Sequence, residues 1–188
     1  MKRKNLWRVL QTTVLAVGLS ASALAQNSKE VHFRGTINDY TPQNMPTTVG
    51  GPWQVAGHWS LTLKRDGTAD FSAALTMVRS DLGVTLSTNP DLNSAAARSA
   101  HTHHITVSGG AITFLANDIR VIGPATITAN GNVPPPFGGN SSLQIDITGG
   151  NTVSYSNIKV TFQGDAQNHF GAAPINGVVR SVRTEEHP

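Results

Sequence analysis

The chain has 188 residues, with 14 Lys and Arg against 11 Asp and Glu for a formal charge of +3, 38% hydrophobic residues and no cysteine. The lack of cysteine excludes disulfides, thiolate metal sites, a cysteine nucleophile and an N-terminal lipoprotein anchor. A chain of this size suits one domain with one core, and after the first 25 residues nothing approaches the about 20 consecutive apolar residues of a membrane-spanning helix.

Met1 to Ala25 reads as a secretory signal peptide. Lys2, Arg3, Lys4 and Arg8 form a basic start, Val9 to Leu19 is mostly apolar, and Ala23-Leu24-Ala25 is a small-residue cleavage site. Removing it leaves residues 26–188 as a single β domain, with ten basic against eleven acidic residues and a formal balance of −1. The basic excess thus belongs to the leader, and nucleic acid is not an expected partner.

Beyond the leader, short alternating apolar runs are separated every eight to twelve residues or so by Gly, Pro, Asn, Ser and Thr, the pattern of an antiparallel all-β sandwich or barrel. Val31 to Ile37 is the first strand, apolar at odd positions, and Tyr40 to Pro52 is a loop. Trp53 to Lys64 and Thr68 to Val78 form a hairpin around Arg65-Asp66-Gly67. Trp53, Val55, Trp59, Leu61 and Leu63 share a face with Ala69, Phe71, Ala73, Leu75 and Met77 only if the loop has three residues, with Gly67 left-handed. Leu61 then pairs with Phe71 and Thr62 with Asp70, which keeps His58 and Asp70 about 13 Å apart and unable to form a dyad.

Ser80 to Ala100 breaks the strand rhythm. Asn89-Pro90-Asp91 has the capping Asn, first-turn Pro and Asp of a helix start, continued by Ala95 to Ala97. Next, His101 to Val107 and Ala111 to Leu115 are expected to form a hairpin with a Gly109-Gly110 turn, pairing Val107 with Ile112 and Ile105 with Phe114. A change of parity before Ile119 calls for a bulge near Asn117-Asp118. Asn130 to Ser142 is a long loop, Leu143 to Ile147 and Val153 to Phe162 form a further hairpin, Gly164 to Pro174 is a polar loop, and Ile175 to Val182 closes the domain. About eight or nine strands and one short helix result.

The chemistry-bearing residues concentrate in the histidines. His101 and His103 lie on one strand face at i, i+2, about 6 to 7 Å apart at their α-carbons, a spacing that lets both imidazoles reach one metal ion. A third ligand is needed, from His169, His58 or His32; His187 sits in the tail. The Gly-Gly register sets Asp118 opposite His101, as a ligand or as the acceptor that orients its ring. Against this, two inward histidines are often a hydrogen-bonded structural pair. His58 alternates with Gln54, Ser60 and Thr62 and reads as surface. Trp53 and Trp59 read as core. The low aromatic count argues against a stacked sugar-binding platform. No phosphate-binding loop, no nucleophile elbow and no pair of carboxylates suited to glycoside hydrolysis can be nominated.

Gly51-Pro52-Trp53, Gly57-His58-Trp59-Ser60-Leu61, His101-Thr102-His103-His104-Ile105, Asn130-Gly131-Asn132 and His169-Phe170-Gly171, followed by Ile175-Asn176-Gly177-Val178-Val179, together resemble a family of exported bacterial β-proteins without assigned activity. The resemblance implies export and a β domain over most of the mature chain. Related chains often carry histidine where this one has Asn176, a departure that counts against a metal centre if that position is a ligand in them.

Two functional readings follow. The favoured one is a noncatalytic exported binding or envelope/matrix protein, periplasmic or extracellular, whose histidines are structural or contact a small molecule or envelope component, with His101, His103, Asp118 and His169 as the ligand-binding candidates and no cofactor. The other is a cupin-like metal-dependent enzyme in which His101, His103 and His169 hold one divalent ion with an open coordination position. The absence of a glutamate shortly after the histidine pair weakens the second.

Overall fold

A computed structural model describes residues 29–42, 45–46, 52–79, 100–130, 135, 137–149 and 155–186. Eight antiparallel strands close into a barrel: β1 (Lys29–Tyr40), β2 (Trp53–Leu63), β3 (Thr68–Arg79), β4 (His101–Phe114), β5 (Ile119–Ala129), β6 (Ser141–Thr148), β7 (Asn157–Gly164) and β8 (Ile175–Glu186). Each strand pairs with its sequence neighbours, and β8 pairs with β1. No helix among the described residues is long and apolar enough to cross a membrane.

Period-two patterning dictates this closure. Phe33 and Ile37 on β1, the odd positions from Val55 to Met77 on β2 and β3 apart from Gly57 and the loop, and Leu143, Ile145, Ile147, Ile158, Val160 and Phe162 on β6 and β7 are buried in one core. An eight-stranded barrel has an interior that side chains just fill, so its middle is packed and any site belongs at a mouth. Outward positions are largely polar, as in the row Thr36, His58, Ala74, His104 and Thr128 running across β1 to β5. A membrane-spanning barrel has the opposite arrangement, with an apolar outer band.

The β2–β3 hairpin has the expected register, with Leu61 opposite Phe71 and Thr62 opposite Asp70. Gly67 is left-handed at φ 80°. Asp66 Oδ1 accepts from the Thr68 backbone N–H at 2.9 Å and its hydroxyl at 2.7 Å, which holds the Asp66 carboxyl below its usual range.

The Gly109-Gly110 hairpin does not form. Residues 101–114 make one long strand that pairs with β3 on one side and β5 on the other, so Ile105 faces Ile127 and Val107 faces Ala125. Gly109, at φ 67°, sits in a bulge that interrupts both ladders. Its N–H donates to Asp70 Oδ1 at 2.9 Å, and that carboxylate also pairs with Lys64 at 3.0 Å. Gly110 is needed for a different reason: a Cβ there would lie 2.8 Å from Val121 Cγ1, because β4 and β5 approach closely. The parity change therefore arises within β4, and Asn117-Asp118 belongs to the β4–β5 turn, closed by Leu115 N–H to Asp118 carbonyl at 2.8 Å.

The helix expected from Asn89 lies outside the described residues. The helix that is seen, α1 (Gln167–Phe170), is a single turn in the segment read as a polar loop. The connections β1–β2, β3–β4, β5–β6 and β7–β8, all of them long, open at one mouth of the barrel, where α1 also lies. The opposite mouth carries the shorter turns β2–β3, β4–β5 and β6–β7. Long connections on a rigid scaffold are where binding groups concentrate.

Candidate metal centre

His101 and His103 enter this mouth from the start of β4. Both keep the inward parity of Ile105 and Val107, with Met77 and Leu75 opposite them on β3. On the other side, Ala129 of β5 faces His103. A small residue there leaves the imidazole room to lie across the mouth. His103 is fully buried and His101 half-buried.

His169 arrives from the far side on α1, and the local sequence explains how so short a helix holds it. Ala166 N–H donates to Ser141 Oγ at 3.0 Å, anchoring the entry to α1. Phe170 is completely buried and stacks on Phe162 of β7, with ring centroids 3.9 Å apart and planes within 11°. Gly171 ends the turn at φ 89°, ψ 170°, a region open essentially to glycine alone, and Pro42 fills the space a Cβ would take. In the sequence His-Phe-Gly, the Phe is thus the anchor, the Gly the exit and the His the group presented, with only 2% of its surface exposed.

The three imidazoles converge through their Nε2 atoms. His169 Nε2 lies 2.9 Å from His103 Nε2 and 3.2 Å from His101 Nε2. One potential ligand atom from each residue falls within 4.8 Å of the other two, so the three form a group able to hold a metal ion. At a metal–nitrogen length of about 2.05 Å, such separations correspond to N–metal–N angles of roughly 90° and roughly 100°. These lie between facial octahedral and tetrahedral geometry.

Aromatic rings enclose the group. Trp53 meets His101 edge-on at 5.3 Å between centroids, Phe170 meets His103 at 5.1 Å, and Phe137 lies 5.3 Å from His169 and 6.1 Å from His103. Burial, followed by the neighbouring His169 and His101, pushes the His103 pKa down to about 3, with the Thr128 backbone acting in the opposite sense. His103 Nδ1 is sealed from solvent without a well-formed hydrogen bond. His103 is therefore neutral at any physiological pH, the state in which imidazole ligates.

A pH dependence follows for the metal-free protein. The His103 pKa is lower in the native state than the ordinary 6.5, so only the unfolded chain takes up this proton as the pH falls. The stability this ring contributes is complete above about pH 6.5 and is lost toward pH 3, at about 1.4 kcal/mol per pH unit. Urea midpoints measured between pH 7 and 4.5 should fall more steeply for the wild type than for His103→Gln. Parallel curves would contradict it.

The other expected site residues are not brought here. Asp118 stands at the opposite mouth: β4 and β5 pair His103 with Ala129 and Phe114 with Ile119, leaving Asp118 beside the far turn, where it accepts from Gly149 N–H at 3.3 Å. Its assignment opposite His101 depended on the hairpin that does not form. His32 points outward and bonds Thr62 Oγ1 at 3.0 Å. His58 and His104 also face outward, lining a shallow groove with Ser60, Ser72 and Thr106. Asn176 is exposed on β8, and its amide and backbone N–H donate to Asp39 at 2.8 and 2.7 Å. His187 lies outside the described residues. The residues that sequence reasoning missed as part of the site are Phe137 and Phe170, which pack on the site histidines; Trp53 was read as core, which it is, but it also packs against a site histidine. Its odd parity with Met77, the cross-strand neighbour of His101, was the available clue.

Fold and site together define a closed, up-and-down antiparallel barrel with a three-histidine cluster buried at one mouth. No protein-family model, curated protein or solved structure matches the chain.

Proposed function

We propose that the protein is an exported metal-binding barrel that holds one divalent transition-metal ion, of the zinc class, on His101, His103 and His169. The convergence of three Nε2 atoms, two of them on fully buried rings, carries this reading. A neutral imidazole nitrogen is either a donor or an acceptor, so a single N–H on His169 Nε2 gives at most one good hydrogen bond where two acceptors crowd it. With His103 held neutral, a proton does not relieve the remaining contact; a cation accepts all three lone pairs at once. Imidazole-only ligation suits zinc, copper, nickel or iron rather than calcium or magnesium. Export is supported by the basic start, apolar run and small-residue cleavage pattern of residues 1–25.

A second reading, metal-dependent catalysis, draws on the donor set. Three protein ligands leave a coordination position for water or substrate, and His101 keeps part of its surface accessible. The parallel with cupins is one of ligands only, because their jelly-roll topology differs from this meander.

Elemental analysis of untagged mature protein, purified without chelators, should find close to one equivalent of a transition metal. His101→Gln, at the half-buried position, should lose that metal while its circular dichroism stays that of the wild type. Metal-free wild type that takes up none on addition would leave the cluster a hydrogen-bonded structural feature.

A further inference from the structure

We propose that the groove on the outer face of β2, β3 and β4 is a second, exchangeable metal site, in which His58 and His104 hold one copper(II) ion between them. The site is separate from the three-histidine cluster and does not depend on it.

The strand register builds the pair. Ala74 of β3 is the direct cross-strand partner of both His58 on β2 and His104 on β4, so the two histidines flank it in one outward row. Their α-carbons are then two strand intervals apart, about 9.5 Å. Two side chains of histidine length and two metal–nitrogen bonds of about 2.05 Å each span that interval. On their other sides the histidines have Thr36 and Thr128 as partners. A stiff, β-branched neighbour crowds one flank of each ring while the alanine methyl leaves the other flank open, so the room for both imidazoles lies over Ala74.

That room is present as a groove of about 390 Å³ bordered by His58, Ser60, Ser72, Ala74, His104 and Thr106. At about 30 Å³ for each water, it accommodates an ion with several waters. Both histidines are exposed, and neither imidazole has a hydrogen-bond or ion-pair partner among the described residues. Their nitrogens are available to an outside electron-pair acceptor.

The lining selects the ion. Among the described residues no Asp, Glu, Lys or Arg borders the groove. Calcium or magnesium would lack carboxylates there, and an anion would lack a charged donor. Imidazole suits borderline first-row ions, of which copper(II) binds most tightly. Ser60, Ser72 and Thr106 supply hydroxyls that can hydrogen-bond the waters completing its coordination. Two ligands open to solvent hold an ion more weakly than three enclosed ones, so this copper is lost during purification and returns on addition.

The test adds copper(II) to mature protein carrying His101→Gln, which disables the mouth cluster, with stoichiometry read by calorimetry and donor nitrogens by electron paramagnetic resonance. One equivalent should bind, with couplings from two imidazoles. Adding His58→Gln or His104→Gln should each weaken it at least about tenfold, because merely disturbing a ligand's outer support costs that much. Ala74→Leu, which keeps both rings and fills the space between them, should weaken it to the same degree, whereas Ala74→Ser should not. These substitutions lie on the exposed face and should leave the circular dichroism unchanged. In the otherwise wild-type chain, each of the three weakening substitutions should lower the copper bound by one equivalent, a readout that does not require His101→Gln to fold. Copper affinity unchanged by either histidine substitution overturns the pair, and so does folded His101→Gln protein that binds no copper. Unaltered binding in Ala74→Leu overturns the position over β3. A difference between wild type and His101→Gln alone bears only on the mouth cluster, so the two sites stand or fall separately.

Discussion

Saturating the metal-free protein with zinc is expected to raise its thermal midpoint by on the order of 10 °C. A ligand that binds only the native state stabilises it by about 4 kcal/mol when its free concentration is 1,000 times Kd. For a domain of this size each kcal/mol moves the midpoint by roughly 2 to 4 °C. The increment should vanish with a strong chelator and in His169→Gln. The reason lies in the assembly of the site: β4 supplies two ligands and α1 the third, with His103 and His169 66 positions apart in sequence, so the unfolded chain has no preformed centre to bind the ion. Differential scanning fluorimetry with zinc, with chelator and with magnesium as a control reads this directly. A midpoint that zinc and chelator both leave in place would remove the metal from the account.

Phe170→Ala should produce the largest loss of stability of any single truncation at the site, about 3 to 5 kcal/mol. The ring has no exposed surface, stacks on Phe162 and meets His103 edge-on, so its deletion leaves a cavity lined by rigid strands on one side. Collapse into that cavity would displace α1 and carry His169 with it. Zinc affinity should therefore drop together with stability, whereas Phe170→Leu, which refills most of the volume, should recover the larger part of both. Denaturant midpoints give the first quantity and zinc titration of the folded variants the second. A Phe170→Ala protein with a wild-type midpoint would show that α1 is held by something other than this ring.

Much of the barrel was legible in local pattern. Alternation assigned the buried faces of β2 and β3, and the requirement that both faces coincide selected the three-residue loop with Gly67 left-handed, the arrangement found. The same parity placed His101 and His103 on the inner face of β4. The Gly109-Gly110 pair misled for a definable reason: a left-handed glycine serves a two-residue hairpin turn and a strand bulge equally well. What separates the two is whether the strand has other partners, and closure of the barrel supplies β3 and β5. That single difference moved Asp118 from beside His101 to the opposite mouth.

Residue types and their period thus determined an all-β chain, its inward faces and two of the three converging imidazoles, because side-chain alternation is set within a few residues of backbone. Tertiary structure alone decided that the sheet closes on itself and that Trp53, Phe137 and Phe170 surround the cluster, and it brought His169, the third ligand named for the metal reading but tied to the pair by no local pattern, onto His101 and His103. These depend on which strands become neighbours around a ring, a consequence of the whole chain burying one core and satisfying every strand edge at once.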